Sequence, residues 1–270
     1  MPDISLIIQS DAEDTDCAEI FVEGKMGDKN CQFLLDTGAA RTHVKLDDLT
    51  ATYDRIHTDN SSGVFSKSKY DFITITNIEF GPIIKSNFTI ARYTEKNSDY
   101  RNLIGMDILK EFRCRFLFDE NRISVDDPEN IGTDDTLHDL FLGKKFHPYV
   151  TIQLGQMTWN TVWDTGAGIT VVDMDIIKKF PEFFQEMGHS LGTDSSGTTM
   201  DTPLFIMAAS KIGDKGFPPQ KVAGVDLSQV NSTTEVPMDM ILGYTTLSKA
   251  NWLFDFPRQK WAVLEILKVL

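Results

Sequence analysis

The chain has 270 residues, is 41% hydrophobic, and carries 40 acidic against 26 basic side chains, for a formal net charge of -14. That composition supports a buried core and excludes wholesale disorder, while the charge opposes nucleic acid and anionic lipid, which recruit clustered Lys and Arg. No apolar run reaches the roughly 20 residues of a membrane helix, so no membrane partner is expected.

Residues 1–17 are acidic and lack the basic start and apolar middle of a secretory signal, so a cytoplasmic address is expected, with residues 11–16 as a solvated tail. Residues 19–26 and 31–35 follow as strands joined by a polar turn, the second running into Asp36-Thr37-Gly38-Ala39. A helix is expected over 45–56 and a mobile hairpin around 58–63, whose tip is Ser61-Ser62-Gly63. Strands over 70–75 and 87–91 lead to Leu103-Ile104-Gly105, a short helical stretch at 106–112, and Phe118-Asp119 opening a last strand.

Residues 127–146 are polar and Asp/Gly-rich, and separate a first unit, 1–126, from a second, 147–270. The second unit repeats the first. Strands at 148–156 and 161–163 end in Asp164-Thr165-Gly166-Ala167, and Thr170 and Val172 answer Thr42 and Val44. A helix expected over 173–187 is interrupted by Pro181, and Ser195-Ser196-Gly197 supplies the second hairpin tip. Ile241-Leu242-Gly243, residues 244–250 and Phe254-Asp255 then recur in the same order, before a strand at 261–266. The aspartates are 164 − 36 = 128 residues apart, a spacing suited to a duplicated lobe and too long for a solenoid repeat.

Cys17, Cys31 and Cys114 show neither disulfide nor zinc spacing. His43, His57, His138, His147 and His189 show no metal-ligand pattern and read as surface or satisfied side chains. No phosphate loop, dinucleotide fingerprint or serine elbow is present, so no cofactor and no metal are expected.

Carried by the paired Asp-Thr-Gly-Ala and hydrophobic-hydrophobic-Gly motifs, the chain resembles aspartic endopeptidases of the retropepsin and pepsin group, as a tandem, single-chain retropepsin. The resemblance implies a mostly β, two-lobed acid-protease fold, with two homologous β-barrel-like lobes and an active-site cleft between them. It implies catalytic Asp36 and Asp164, dyad support from Thr37, Gly38, Ala39, Thr165, Gly166 and Ala167, and flap positions at Ser62, Gly63, Ser196 and Gly197. A monomer acting on a polypeptide substrate follows. The apolar segments 4–8, 122–125 and 261–269 stand where this family joins its halves in a shared antiparallel sheet.

Two adjacent carboxylates cannot both ionise cheaply, so they share a proton: the ionised member activates water and the protonated one assists the peptide carbonyl. Either aspartate could be the base. Ala39 and Ala167 withhold the hydroxyl that many pepsins place beside the dyad, so a pH optimum less acidic than pepsin's is expected. The acidic residue usual in retropepsins after this motif is missing: Ala40 and Arg41 follow one copy, Gly168 and Ile169 the other. Thr245 in place of Asp107 suggests a lost polar support in the second lobe. A non-catalytic peptide-binding module on the same fold is the alternative.

Overall fold

The structure is a computed structural model that describes residues 3–62, 67–97, 99–126, 136–193 and 199–267. Each aspartate ends the second arm of a hairpin. Ala18–Met26 pairs antiparallel with Lys29–Leu35, which alternates at its start and is fully buried at Phe33, Leu34 and Leu35. Pro148–Leu154 pairs in the same way with Met157–Trp163, buried at Val162 and Trp163. Alternation followed by a buried apolar end drives one face, then the whole strand end, into the core.

A short strand then threads past each aspartate strand. Leu103–Ile104 lies parallel to Lys29–Leu35 and antiparallel to His43–Val44. Met240–Leu242 lies parallel to Met157–Trp163 and antiparallel to Thr170–Asp173. Each threading strand runs into glycine, and neither glycine could carry a side chain. A Cβ on Gly105 would stand 2.5 Å from the Arg41 carbonyl carbon, and one on Gly243 would stand 2.3 Å from the Ile169 oxygen.

The lobes meet through an antiparallel sheet ordered Asp3–Ser10, Arg122–Asp126, Arg113–Leu117, Ala250–Asp255, Lys260–Ile266 and His138–Asp139. The apolar termini were expected there; residues 268–270 lie outside the described residues. An aromatic layer joins this sheet to the second aspartate strand, with the Trp163 ring 4.6 Å from Phe116 and 4.5 Å from Phe254. Burying rings of this size, about 1.5–3 kcal/mol or more each, fixes the residue immediately before Asp164.

Helices are shorter than expected. Over 45–56 only Thr50–Thr52 forms a turn, because side chains compete for the backbone: Thr50 N–H donates to Asp47, and the Thr50 hydroxyl donates to the Lys45 carbonyl. Over 173–187, Met174–Lys179 is helical, capped by the Asp173 side chain; Pro181 starts a separate turn and Phe184–Thr193 is a strand. Phe118–Glu120 is a turn ahead of the last strand of its lobe, and Phe254 and Asp255 close a strand instead of opening one.

Both lobes carry a long hairpin after the aspartate loop. Arg55–Ser62 pairs with Lys67–Phe80, and Phe184–Thr193 with Thr199–Met207. Ser62 ends the first arm, whereas Gly63, Ser196 and Gly197 lie outside the described residues. Of the polar stretch at 127–146, His138–Asp139 and Phe141–Leu142 are strands, paired respectively with Lys260–Ile266 and Pro148–Leu154. The acidic stretch at 11–16 is no free tail. It forms a tight turn between the first two strands, and Asp14 accepts from Lys221 Nζ at 2.7 Å, while Asp16 lies 3.4 Å from the same ammonium. None of the helices among the described residues is long and apolar enough to cross a membrane.

Candidate active site

The aspartate loops start from matching backbone bonds: Asp36 N–H donates to Ile104 O at 3.0 Å, and Asp164 N–H to Leu242 O at 2.9 Å. The next residues lock the lobes together. Thr37 N–H donates to Thr165 Oγ1 at 3.1 Å, and Thr165 N–H returns a bond to Thr37 Oγ1 at 3.0 Å. The Thr37 hydroxyl donates in turn to the Trp163 carbonyl at 2.8 Å. Both threonines are fully buried, so these bonds face no competition from water.

Gly38 and Gly166 keep ordinary backbone angles, and their need for glycine lies across the interface. A Cβ on Gly38 would stand 2.3 Å from Asp164 Oδ2, and one on Gly166 would stand 2.5 Å from Asp36 Cγ. Each carboxyl occupies the space beside the other lobe's glycine. Asp164 Oδ1 accepts from Gly38 N–H at 3.0 Å and from Gly166 N–H at 2.8 Å. Ala39 and Ala167 hold their loops by carbonyl bonds from Met106 N–H and Tyr244 N–H, both 2.8 Å.

The two carboxyls are hydrogen-bonded to each other and are not equivalent. Burial and the neighbouring Asp164 charge push Asp36 well above the usual carboxylate range. Burial also raises Asp164, but the Gly166 and Gly38 N–H groups and the Asp36 hydroxyl oppose it by stabilising the anion. The pair titrates as a unit that shares one proton, with Asp36 raised the more strongly of the two.

Thr42 and Thr170 brace the threading strands, donating nothing to solvent: Gly105 N–H binds Thr42 Oγ1 at 3.2 Å and Gly243 N–H binds Thr170 Oγ1 at 3.1 Å. Asp107 accepts from Thr42 through both N–H and hydroxyl, at 2.9 and 2.8 Å. The second lobe has not lost this support. Thr245 Oγ1 accepts from Thr170 N–H at 3.0 Å, and Thr246 shares a hydroxyl bond with Thr170 at 2.6 Å. Neutral hydroxyls replace a half-buried carboxylate.

Other neighbours escaped the sequence reading. In the first lobe His43 stacks on Tyr70 at 4.3 Å, Tyr70 tilts against Tyr93 at 4.9 Å, and Tyr93 stacks on Tyr100 at 4.0 Å. Burial, then the Arg41 charge, lowers the His43 pKa to about 4, so this ring is neutral. The 128-residue offset puts Val171 opposite His43, so the lobes differ beside the dyad. His147 is also buried, and the same offset places it on Glu19 (147 − 19 = 128).

The topology and paired aspartate loops define a mostly β, two-lobed acid-protease fold. The soybean basic 7S globulin structure is similar over 98% of this chain and 97% of its own, with a TM-score of 0.57 and 11% identity. At that identity the likeness shows the fold alone. No family model matches the chain, and no curated protein matches it in sequence.

Proposed function

We propose that the protein is an aspartic endopeptidase of the tandem retropepsin type, hydrolysing polypeptides as a monomer. One observation carries this: the reciprocal Thr37–Thr165 bonds bring both aspartates of one chain together, with each carboxyl packed beside the other lobe's loop glycine. In this mechanism Asp164 removes a proton from water as it attacks the peptide carbonyl, and Asp36 donates to the carbonyl oxygen. The tetrahedral intermediate then collapses as the leaving nitrogen gains a proton, with no covalent enzyme intermediate. A long hairpin in each lobe supports the retropepsin form, in which both halves close over substrate.

Incubation of an unfolded protein mixture with the wild type, Asp36→Asn and Asp164→Asn tests the proposal. Cleavage by the wild type alone, eluting as a monomer, is the expected result. Equal behaviour of the three would leave the non-catalytic peptide-binding module. A cleavage profile peaking at about pH 2 would contradict the less acidic optimum expected from Ala39 and Ala167.

A further inference from the structure

The two aspartate loops leave the dyad along matching paths that end in unlike side chains. A Cβ on Gly105 would stand 2.5 Å from the carbonyl carbon of Arg41 and 2.9 Å from Ala39 O; one on Gly243 would stand 2.5 Å from the carbonyl carbon of Ile169 and 2.6 Å from Ala167 O. Arg41 and Ile169 are therefore structural equivalents, each five residues past its aspartate, and a cation in one lobe answers an apolar side chain in the other.

The first lobe's sheet fixes where that cation stands. Across the strands His43 registers with Ala91, Ala91 with Phe72, and Phe72 with His57. One face of these strands buries Val44, Ile73 and Ile90 in the lobe core, and the alternate residues Tyr70, Phe72, Ala91 and Tyr93 form a separate cluster on the other. The Arg41 guanidinium lies over the Phe72 ring of this second face, 5.2 Å from its centre, and so bridges the aspartate loop and the long hairpin. Its side chain is exposed and forms no ion pair among the described residues. The carboxyls nearest in sequence to its contacts are engaged elsewhere, Asp107 by Thr42 and Asp71 by Arg92 at 3.2 Å.

From this unlike pair we infer that Arg41 is a specificity-determining residue, selecting polypeptides that carry an Asp or Glu side chain on the first lobe's side of the scissile bond, while Ile169 leaves the other side without that preference. The inference rests on the proposed peptidase reading and adds the substrate class. A guanidinium held on an aromatic face presents its planar fork to a carboxylate, which accepts two parallel N–H bonds. The net charge of -14 repels acidic polypeptides at long range, but at about 0.15 M salt that field is screened beyond about 8 Å, and a contact pair is screened far less. Selection is thus for one acidic side chain at one place, not for acidic substrates at large.

The test compares peptides that differ only as Glu against Gln at each position flanking the cleaved bond, at about pH 6, where a glutamate of pKa about 4.3 is ionised. The wild type is expected to favour Glu about 5-fold in kcat/KM on one side of the bond only, the upper end for a solvent-exposed pair. Arg41→Met keeps a stem over Phe72 and should erase the preference; Arg41→Lys should keep part of it, and Arg41→Glu should favour Lys peptides instead. Ile169→Arg should add a like preference on the other side. A wild-type ratio near 1, an equal loss on Glu and Gln peptides in Arg41→Met, or a preference that survives in that variant would overturn the inference. Should the wild type cleave no peptide, the peptidase reading fails, and fluorescence anisotropy of the labelled Glu and Gln peptides on the wild type and Arg41→Met decides the role of Arg41. Tighter binding of Glu that Met abolishes supports it, and equal or absent binding overturns it.

Discussion

Replacing Thr37 by Val isolates the contribution of the interlobe grip, because the two side chains have nearly the same shape. The substitution deletes one hydroxyl with two duties: accepting from Thr165 N–H at 3.0 Å and donating to the Trp163 carbonyl at 2.8 Å. Thr37, Thr165 and Trp163 are all 0% exposed, so water cannot replace either partner. Each orphaned group costs about 1–3 kcal/mol, so the pair sums to about 2–6 kcal/mol, against a typical total stability of about 5–15 kcal/mol. Thr37→Ser retains both bonds and removes one methyl, worth about 1 kcal/mol. Urea unfolding at fixed slope gives the two losses directly. Valine destabilising no more than serine would refute the reasoning, since it would mean that the buried hydroxyl holds nothing the methyl cannot replace.

Gly38→Ala should abolish cleavage while far-UV circular dichroism still reports a β fold, because the new Cβ falls 2.3 Å from Asp164 Oδ2 and must displace that carboxyl; an alanine variant with wild-type kcat would refute this. Lys221→Met probes the acidic turn. Burial works to raise Asp14, but the Lys221 hydrogen bond and charge hold it below the ordinary 3.8, so the pair stabilises the fold above that value and the contribution fades as pH falls through the depressed value. With both side chains partly exposed, the variant should lose about 1 kcal/mol or less at neutral pH and nothing in strong acid, as read from urea midpoints at each pH.

The sequence made the paired aspartates and the strands leading into them legible, because strand alternation and the order of short motifs are local properties; the shared sheet was expected from the family resemblance. Its failures were contacts between distant segments. Gly38 and Gly166 stand in the motif, but the opposing lobe's carboxyl that forbids a side chain there comes from a distant segment. Thr245 looked like a lost support because the motif carries a carboxylate in the other lobe, yet a hydroxyl reaches the same N–H. Residues 45–56 had helical composition, but Asp47 and Thr50 satisfy the backbone locally.

Carrying both aspartates on one chain, with different residues around each, has a further consequence. In a two-fold dimer every substitution appears twice, so a residue on the axis must suit its own copy. Here His43, stacked on Tyr70, stands beside one aspartate loop and Val171 at the matching place beside the other. Covalent fusion has released these places from self-complementarity, so one substitution can alter one side of the dyad and leave the other as it is.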